Sequence, residues 1–370
     1  MKNFRKKLVK LAKNLGDQSR RVLGYPVTLG YDFSYLQPFL KFFINNIGDP
    51  FVEGSYRVEV KQLERDILNF FRKVFHLPRN DYWGYVTTGS TEGNMFGMFQ
   101  ARQHYPKGII YCSQDTHYSV FKNAAILNMP VVLVNSRENG EIDYHDLGLK
   151  LKKSKSRPAI IIANIGTTMK GAIDDIPQII KITKRARMKN FYIHVDAALS
   201  GMILPFLPES PVFDFRLPIH SLTFSSYKVI GVPLSSGVVL TRKNLVKIKN
   251  AKHFIPYIKT IDDTVSGSRS GFHSLLLWSA IKELGLKGFR QRANASIKNS
   301  EWLLKQFQKI GWPAWKNPHA PIVVIKKPPQ KILSKWLLAS HGELSHIIVL
   351  PHVEINTLKQ FLSELKKYIS

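Results

Sequence analysis

The chain has 370 residues, 44% hydrophobic and 11% aromatic, which allows one large domain with a smaller appendage, or two domains, and excludes a disordered chain. A single cysteine, Cys112, excludes an internal disulfide framework and fits a reducing compartment, and no apolar run reaches the length of a membrane helix. The formal net charge of +28 is the footprint of a nucleic-acid binder, yet the lysines are dispersed over 149–157, 181–190, 243–250 and 326–328 with no aromatic-rich basic motif, so nucleic acid is not an expected partner.

In chain order, residues 1–21 are basic and amphipathic but lack the apolar core of a secretory signal, so the expected location is cytoplasmic. They are the best candidate for an interaction surface toward an acidic partner or an anionic membrane, although a membrane is not an expected partner. Residues 1–50 read as an irregular arm punctuated by "GYP" and "GDP". A helix is predicted over 59–75, where Val60, Leu63, Ile67, Leu68, Phe71 and Phe75 form an apolar face. Short apolar runs follow: "WGYVTT", "GIIYCS", "PVVLVN", "AIIIANIGTT", "FYIHVDAA", "SLTFSS" and "SGVVLT", some separated by helical segments such as "IPQIIKITKRARMK". Continuous rather than alternating apolar strands predict an α/β fold, a mainly parallel sheet covered by helices on both faces. After about residue 275 come helices at 275–284 and 295–310, two strands in "APIVVIKK" and "HIIVLP", and a closing helix over 355–369. The expected division is an arm (1–50), a large domain (51–275) and a small C-terminal α/β domain (276–370).

In an open parallel sheet, ligands bind beyond the carboxyl ends of the strands, and four features fall at such ends. "TTGSTEGN" (87–94) is a hydroxyl-rich loop between a strand and a helix that suits a phosphate, although such loops also cap helices for structural reasons. It matches neither the Walker loop nor the dinucleotide fingerprint. Asp196 in "HVDAALSG" ends an apolar strand and needs a positive or hydrogen-bonding partner, such as a protonated ring nitrogen, or else caps the next segment; Ala198 leaves room for a flat ring. His117 follows another strand end; a lone histidine is more often structural, but it can stack on a ring or hold a carboxylate. Lys228 interrupts "TFSSYKVIGVPLSSG" (223–237), a stretch with no acidic residue, just after Ser225 and Tyr227. Together the four imply one ligand, a flat, phosphorylated, aldehyde-bearing pyridine: pyridoxal 5'-phosphate. An amine joined to that aldehyde has no ammonium left to pair.

The ordered set "TTGSTEGN", "DTHYSV", "NIGTTMKGAIDD", "HVDAALSG", "SSYK" and "SGSRSG" resembles the group II pyridoxal-phosphate-dependent amino-acid decarboxylases, and most closely the bacterial histidine decarboxylases and plant serine decarboxylases. The resemblance covers about residues 20–370. It implies the type I pyridoxal-phosphate enzyme fold and a homodimer with sites between subunits. It also implies that Lys228 is the covalent lysine and Asp196 the partner of the pyridine nitrogen. Ala198 and His117 would flank the ring, with His117 also near the substrate. Ser90 and Thr91 would be the main phosphate ligands, supported by Ser225, and Thr168 would touch the cofactor's phenolic oxygen. "SGSRSG" (266–271) would close over the neighbouring subunit's phosphate. Four positions depart from the family pattern: Tyr227 stands where relatives place a histidine near the phosphate, Thr88-Gly89-Ser90 replaces Asn-Gly-Gly, and "GSYRVEV" (54–60) and "PLSSG" (233–237) are altered.

The expected activity is decarboxylation of an L-amino acid, with L-histidine giving histamine and CO2 as first choice and L-serine as second. Another type I reaction is an alternative; transamination would need an arginine for the substrate carboxylate, and Arg269 is the only one the sequence places near the site. A basic binding protein on a decayed enzyme scaffold is the alternative from a different class.

Overall fold

A computed structural model describes residues 2–246 and 254–368 of the protein, so part of the basic stretch 243–250, residues 247–250, lies outside the described residues. The chain opens with helix α1 (Lys2–Ser19), where the sequence suggested an irregular arm. Phe4, Leu8, Leu11 and Leu15 recur at helical spacing among strong helix formers, which explains the difference. Helix α2 (Lys61–Val74) follows and buries Ile67, Leu68 and Phe71. Alternating elements then build the large sheet: β1 (Tyr82–Thr87), α3 (Ser90–His104), β2 (Ile109–Ser113), α4 (Tyr118–Ile126), β3 (Val131–Val134), α5 (Tyr144–Lys153), β4 (Ala159–Asn164), α6 (Ile176–Arg185), β5 (Phe191–Asp196), β6 (Ser221–Ser225), the one-turn α7 (Ser226–Val229) and β7 (Gly237–Arg242).

The order across the sheet is β1-β7-β6-β5-β4-β2-β3. The pairs from β3 to β6 are parallel, and β7 is antiparallel to both of its neighbours, β6 and β1. Six of the seven strands therefore share one direction, and their carboxyl ends share one edge. Every residue of β4 is buried, and the first core cluster joins Phe71, Phe75 and Phe224 across α2 and β6 with centroids 4.5 and 5.4 Å apart. Burial of each such side chain contributes about 1.5–3 kcal/mol, which anchors α2 on the sheet beneath the loops that follow it.

Helix α8 (Gly271–Lys309) runs through both predicted C-terminal helices and is interrupted only at Gly285. It leads to β8 (Ala314–Trp315), β9 (Ile322–Lys326), α9 (Gln330–Lys335), β10 (Ser340–His341), β11 (Leu344–Ile348) and α10 (Ile355–Leu365). Four strands, not two, form an antiparallel sheet in the order β10-β11-β9-β8. The two unexpected strands have two residues each, too few to show any periodicity.

Candidate active site

A cavity of about 970 Å³ opens at the shared carboxyl edge of the large sheet, roofed by Gly24, Tyr25 and Pro26 of the N-terminal arm and by His341, His346 and Ile348 of the small sheet. All nine residues singled out in the sequence line it: Ser90, Thr91, His117, Thr168, Asp196, Ala198, Ser225, Tyr227 and Lys228. They come from segments up to 138 positions apart, and the strand topology alone brings them together.

The turn from β1 into α3 passes through Gly89 at φ 152° and ψ 170°, a region essentially closed to other residues, and this lets Ser90 begin the helix directly at the cavity. The first N–H groups of α3 have no intrahelical acceptor and face the cavity with their partial positive charge. Ser90 Oγ and Ser225 Oγ lie 2.7 Å apart, so two hydroxyls from different strand ends meet there. Glu92 locks the turn by accepting from Thr88 N (2.8 Å), Thr88 Oγ1 (2.7 Å) and Ser266 Oγ (3.1 Å). Thr168 stands at the tip of the loop after β4. Buried Asp174 ties that loop down by accepting from Ile142 N and Asn164 N, and burial raises its pKa to about 6.

Asp196 closes β5. Its Oδ1 accepts from Ala198 N (3.1 Å) and its Oδ2 from Asn94 Nδ2 (2.7 Å), which leaves lone pairs on both oxygens for a donor in the cavity. His117 is the N-cap of α4, and its Nδ1 accepts from Ser119 N (3.3 Å), so the neutral ring carries its proton on Nε2. Burial pushes its pKa below the ordinary histidine value, an effect that Lys228 reinforces and Asp196 opposes.

Lys228 is not in a strand. β6 stops at Ser225, and α7 turns Tyr227 and Lys228 toward the same cavity, which consecutive strand residues cannot do. Thr28 Oγ1 fixes this turn by donating to Lys228 O (2.5 Å). The Lys228 amine forms no ion pair among the described residues. Desolvation lowers its pKa below the usual lysine value, opposed by the charge of Asp196, so the nucleophilic neutral amine becomes accessible. Tyr227 packs its ring on the main core, and burial raises its hydroxyl pKa while a hydrogen bond with Ser225 lowers it.

Arg269, the arginine that the sequence places near the site, does not line the cavity. It is buried in an ion pair with Glu64, donates to Gly48 O (3.0 Å) and lies over the Tyr85 ring. No arginine lines the cavity among the described residues. The sequence reading also passed over Asn94, His341 and His346. Asn94 had a signal, because it lies one helical turn after Ser90 on the same face of α3. The two histidines had none, since only the placement of the small sheet brings them to the site.

In chemical terms the cavity can hold an anion at the start of α3, a ring N–H at Asp196, a flat ring over Ala198 and a carbonyl carbon at Lys228. That donor set fits pyridoxal phosphate at each of its functional groups. Residues 44–311 match the family model described as the pyridoxal-dependent decarboxylase conserved domain. The chain is 42% identical over 332 residues to a histidine decarboxylase of Acinetobacter baumannii, covering 89% of this chain and 86% of that protein. It is 40% identical over 355 residues to serine decarboxylase 2 of Oryza sativa subsp. japonica, covering 95% and 76%. Among solved structures, L-methionine decarboxylase from Streptomyces sp. 590 superimposes with a TM-score of 0.90 at 24% identity, covering 98% of this chain and 94% of that one. Lactobacillus brevis glutamate decarboxylase does so with a TM-score of 0.83 at 16% identity, covering 99% and 92%.

Proposed function

The chain belongs to the pyridoxal-dependent decarboxylase family, and we propose that within it the substrate is L-histidine, released as histamine and CO2. It is an amino-acid decarboxylase, a carboxy-lyase using pyridoxal 5'-phosphate on the type I fold. The observation that carries the reading is the unpaired Lys228 amine set with Asp196 in one cavity that no described arginine lines. That arrangement lacks the carboxylate arginine that transamination would need and that decarboxylation does not.

In this reading, the start of α3 with Ser90, Thr91 and Ser225 holds the phosphate, and Thr168 meets the phenolic oxygen. Asp196 accepts from the ring nitrogen, Ala198 and His117 flank the ring, and Lys228 holds the aldehyde carbon. When bound, the cofactor draws off the electron pair left as the bond from Cα to the carboxylate breaks. Lys228 moves a proton at Nζ and supplies one to Cα, while His117 directs its Nε2–H at the substrate. The roof of arm and small sheet limits water. Histidine is preferred because Gln114 and His341 line the outer part of the cavity, where an imidazole finds hydrogen-bonding partners. Incubation with a panel of amino acids, read as amines, is expected to give histamine fastest. Ethanolamine as the main product would move the substrate to serine, and no amine from any amino acid would overturn the reading.

Tyr227 supplies a prediction of its own. It lines the cavity two residues after Ser225, which pairs with Ser90 at the anion end. A hydrogen bond to a charged group is worth about 1.5–3 kcal/mol, so Tyr227→Phe is expected to weaken cofactor affinity by about tenfold or more. Tyr227→His is expected to retain it. Titration of pyridoxal phosphate into both apoproteins checks this, and unchanged affinity for the Phe variant with a loss for His would make Tyr227 a packing residue only.

A homodimer fits the apolar surface on the arm, where Phe42 and Phe43 are 52% and 77% exposed. Ser266 of the 266–271 segment donates to Glu92 of its own chain at 3.1 Å, so the support for a dimer comes from the arm. Sedimentation as a monomer at full cofactor occupancy would contradict it. A cytoplasmic location fits the single buried thiol, Cys112.

A further inference from the structure

Behind Asp196 a chain of hydrogen bonds leads away from the cavity into the protein interior. Asn94 Nδ2 donates to Asp196 Oδ2 at 2.7 Å, and Asn94 Oδ1 lies 2.9 Å from His194 Nε2. His194 Nδ1 lies 2.7 Å from Ser221 Oγ, which accepts from the Tyr192 hydroxyl at 3.0 Å. Asn94 is 1% exposed, and His194, Ser221 and Tyr192 are fully buried. One polarity pairs every donor with an acceptor. A carboxylate only accepts, so Asn94 must present its amide N–H₂ to Asp196 and its carbonyl to His194. His194 must then carry its proton on Nε2 and accept from Ser221 at Nδ1. Burial agrees, because it lowers the pKa of His194 to about 4 and keeps a single ring proton.

The backbone is built to permit this contact. A Cβ on Gly97 would fall 2.2 Å from His194 Nδ1, so only glycine lets α3 approach β5 closely enough. His194 and Asp196 lie two residues apart on β5 and so share a sheet face. Nothing in the covalent or anion-binding part of the cavity uses this chain.

We propose that Asn94 and His194 are positioning residues that fix the Asp196 carboxylate toward the cofactor's ring nitrogen, with Ser221 and Tyr192 completing the hydrogen bonds of the Nε2–H tautomer that the Asn94 carbonyl requires. The proposal rests on the assignment of Asp196 to that nitrogen. Long-range ¹H–¹⁵N spectra of histidine-labelled apoprotein, with His194 identified by its loss in His194→Gln, are expected to show the Nε2–H tautomer from pH 8 to 5. Asn94→Leu is expected to lower pyridoxal-phosphate affinity by about 10–100-fold, the size of one hydrogen bond to a charged group. In the loaded enzyme kcat should fall more than KM rises, because Asn94 acts through the Asp196 carboxylate to which it donates. His194→Gln keeps an N–H for Asn94 and should recover most of the affinity that His194→Leu loses.

An Nδ1–H tautomer, wild-type affinity in Asn94→Leu, or equal losses in the two His194 variants would each overturn the proposal. If Asn94→Leu does not fold, Ser221→Ala takes its place: Nδ1 loses its donor while Asn94 Oδ1 still requires an Nε2–H, so the single tautomer should persist, and a switch to Nδ1–H would overturn the Asn94–His194 contact. The tautomer and the affinity need no turnover. A wild-type enzyme that makes no amine would therefore sink the decarboxylase reading while leaving these results to decide on the relay.

Discussion

Lys228→Ala is expected to abolish amine production while leaving the protein folded. Proton transfer by a positioned side chain accounts for about 10²–10⁴-fold in rate, and in the proposed site Lys228 would also hold the cofactor at its aldehyde, so the loss in kcat should reach at least the upper end of that range. The fold survives because the amine stabilises nothing: it forms no ion pair among the described residues, and its desolvation lowers its pKa from 10.5. A lysine whose folded pKa is depressed costs stability at every pH below its unfolded value. The substitution removes that cost, and at pH 7 the apoprotein's melting temperature should not fall. Borohydride should fix the cofactor on wild type at one lysine and leave Lys228→Ala unlabelled. Labelling of another lysine, or undiminished multiple turnover by the variant, would end the assignment of Lys228.

How far the sequence foretells this site depends on the length of the signal. β4 is legible because Ala159 to Ala163 form an unbroken apolar run, as Ile109 to Cys112 do in β2, while β5 and β6 are buried despite the polar residues among their apolar ones. Once those strands are parallel, their carboxyl ends must meet, and Ser90, His117, Thr168, Asp196 and Lys228 become neighbours without any contact being known. β8 and β10 are invisible because two residues have no period. The α7 turn is hidden for another reason: "SSYKV" suits a strand by composition, and tertiary contacts from Thr28 and Arg292 to the carbonyls of Lys228 and Ile230 decide the matter. The reversed direction of β7 is equally silent, since an antiparallel strand buried on both faces reads like its parallel neighbours. Arg269 misled in the opposite sense. Its sequence neighbourhood is the flexible "SGSRSG", but Glu64, 205 positions away, takes its charge.

Asp196→Ala should leave a folded protein that binds pyridoxal phosphate weakly and turns over at about 10⁻² to 10⁻³ of the wild-type rate, the scale for removing one preorganised electrostatic partner from a transition state. The direction follows from what the carboxylate does as the carboxyl group departs. With the cofactor bound, Asp196 would hold a proton on the ring nitrogen, and a protonated ring would take up the departing electron pair far better than a neutral one. Asp196 makes that proton favourable without moving, because Ala198 N and Asn94 Nδ2 already hold its two oxygens in place. Asp196→Asn separates charge from shape: it keeps a hydrogen-bonding group at the same position but cannot stabilise a cationic N–H. If charge is what matters, Asn should be nearly as slow as Ala while binding the cofactor better, so the two variants diverge in affinity and agree in kcat. Stopped-flow decay of bound substrate, compared with cofactor titration of both apoproteins, separates the two quantities. A near-normal kcat in Asp196→Asn would show that position rather than charge is the contribution of Asp196, and a near-normal kcat in Asp196→Ala would place the ring nitrogen against another residue.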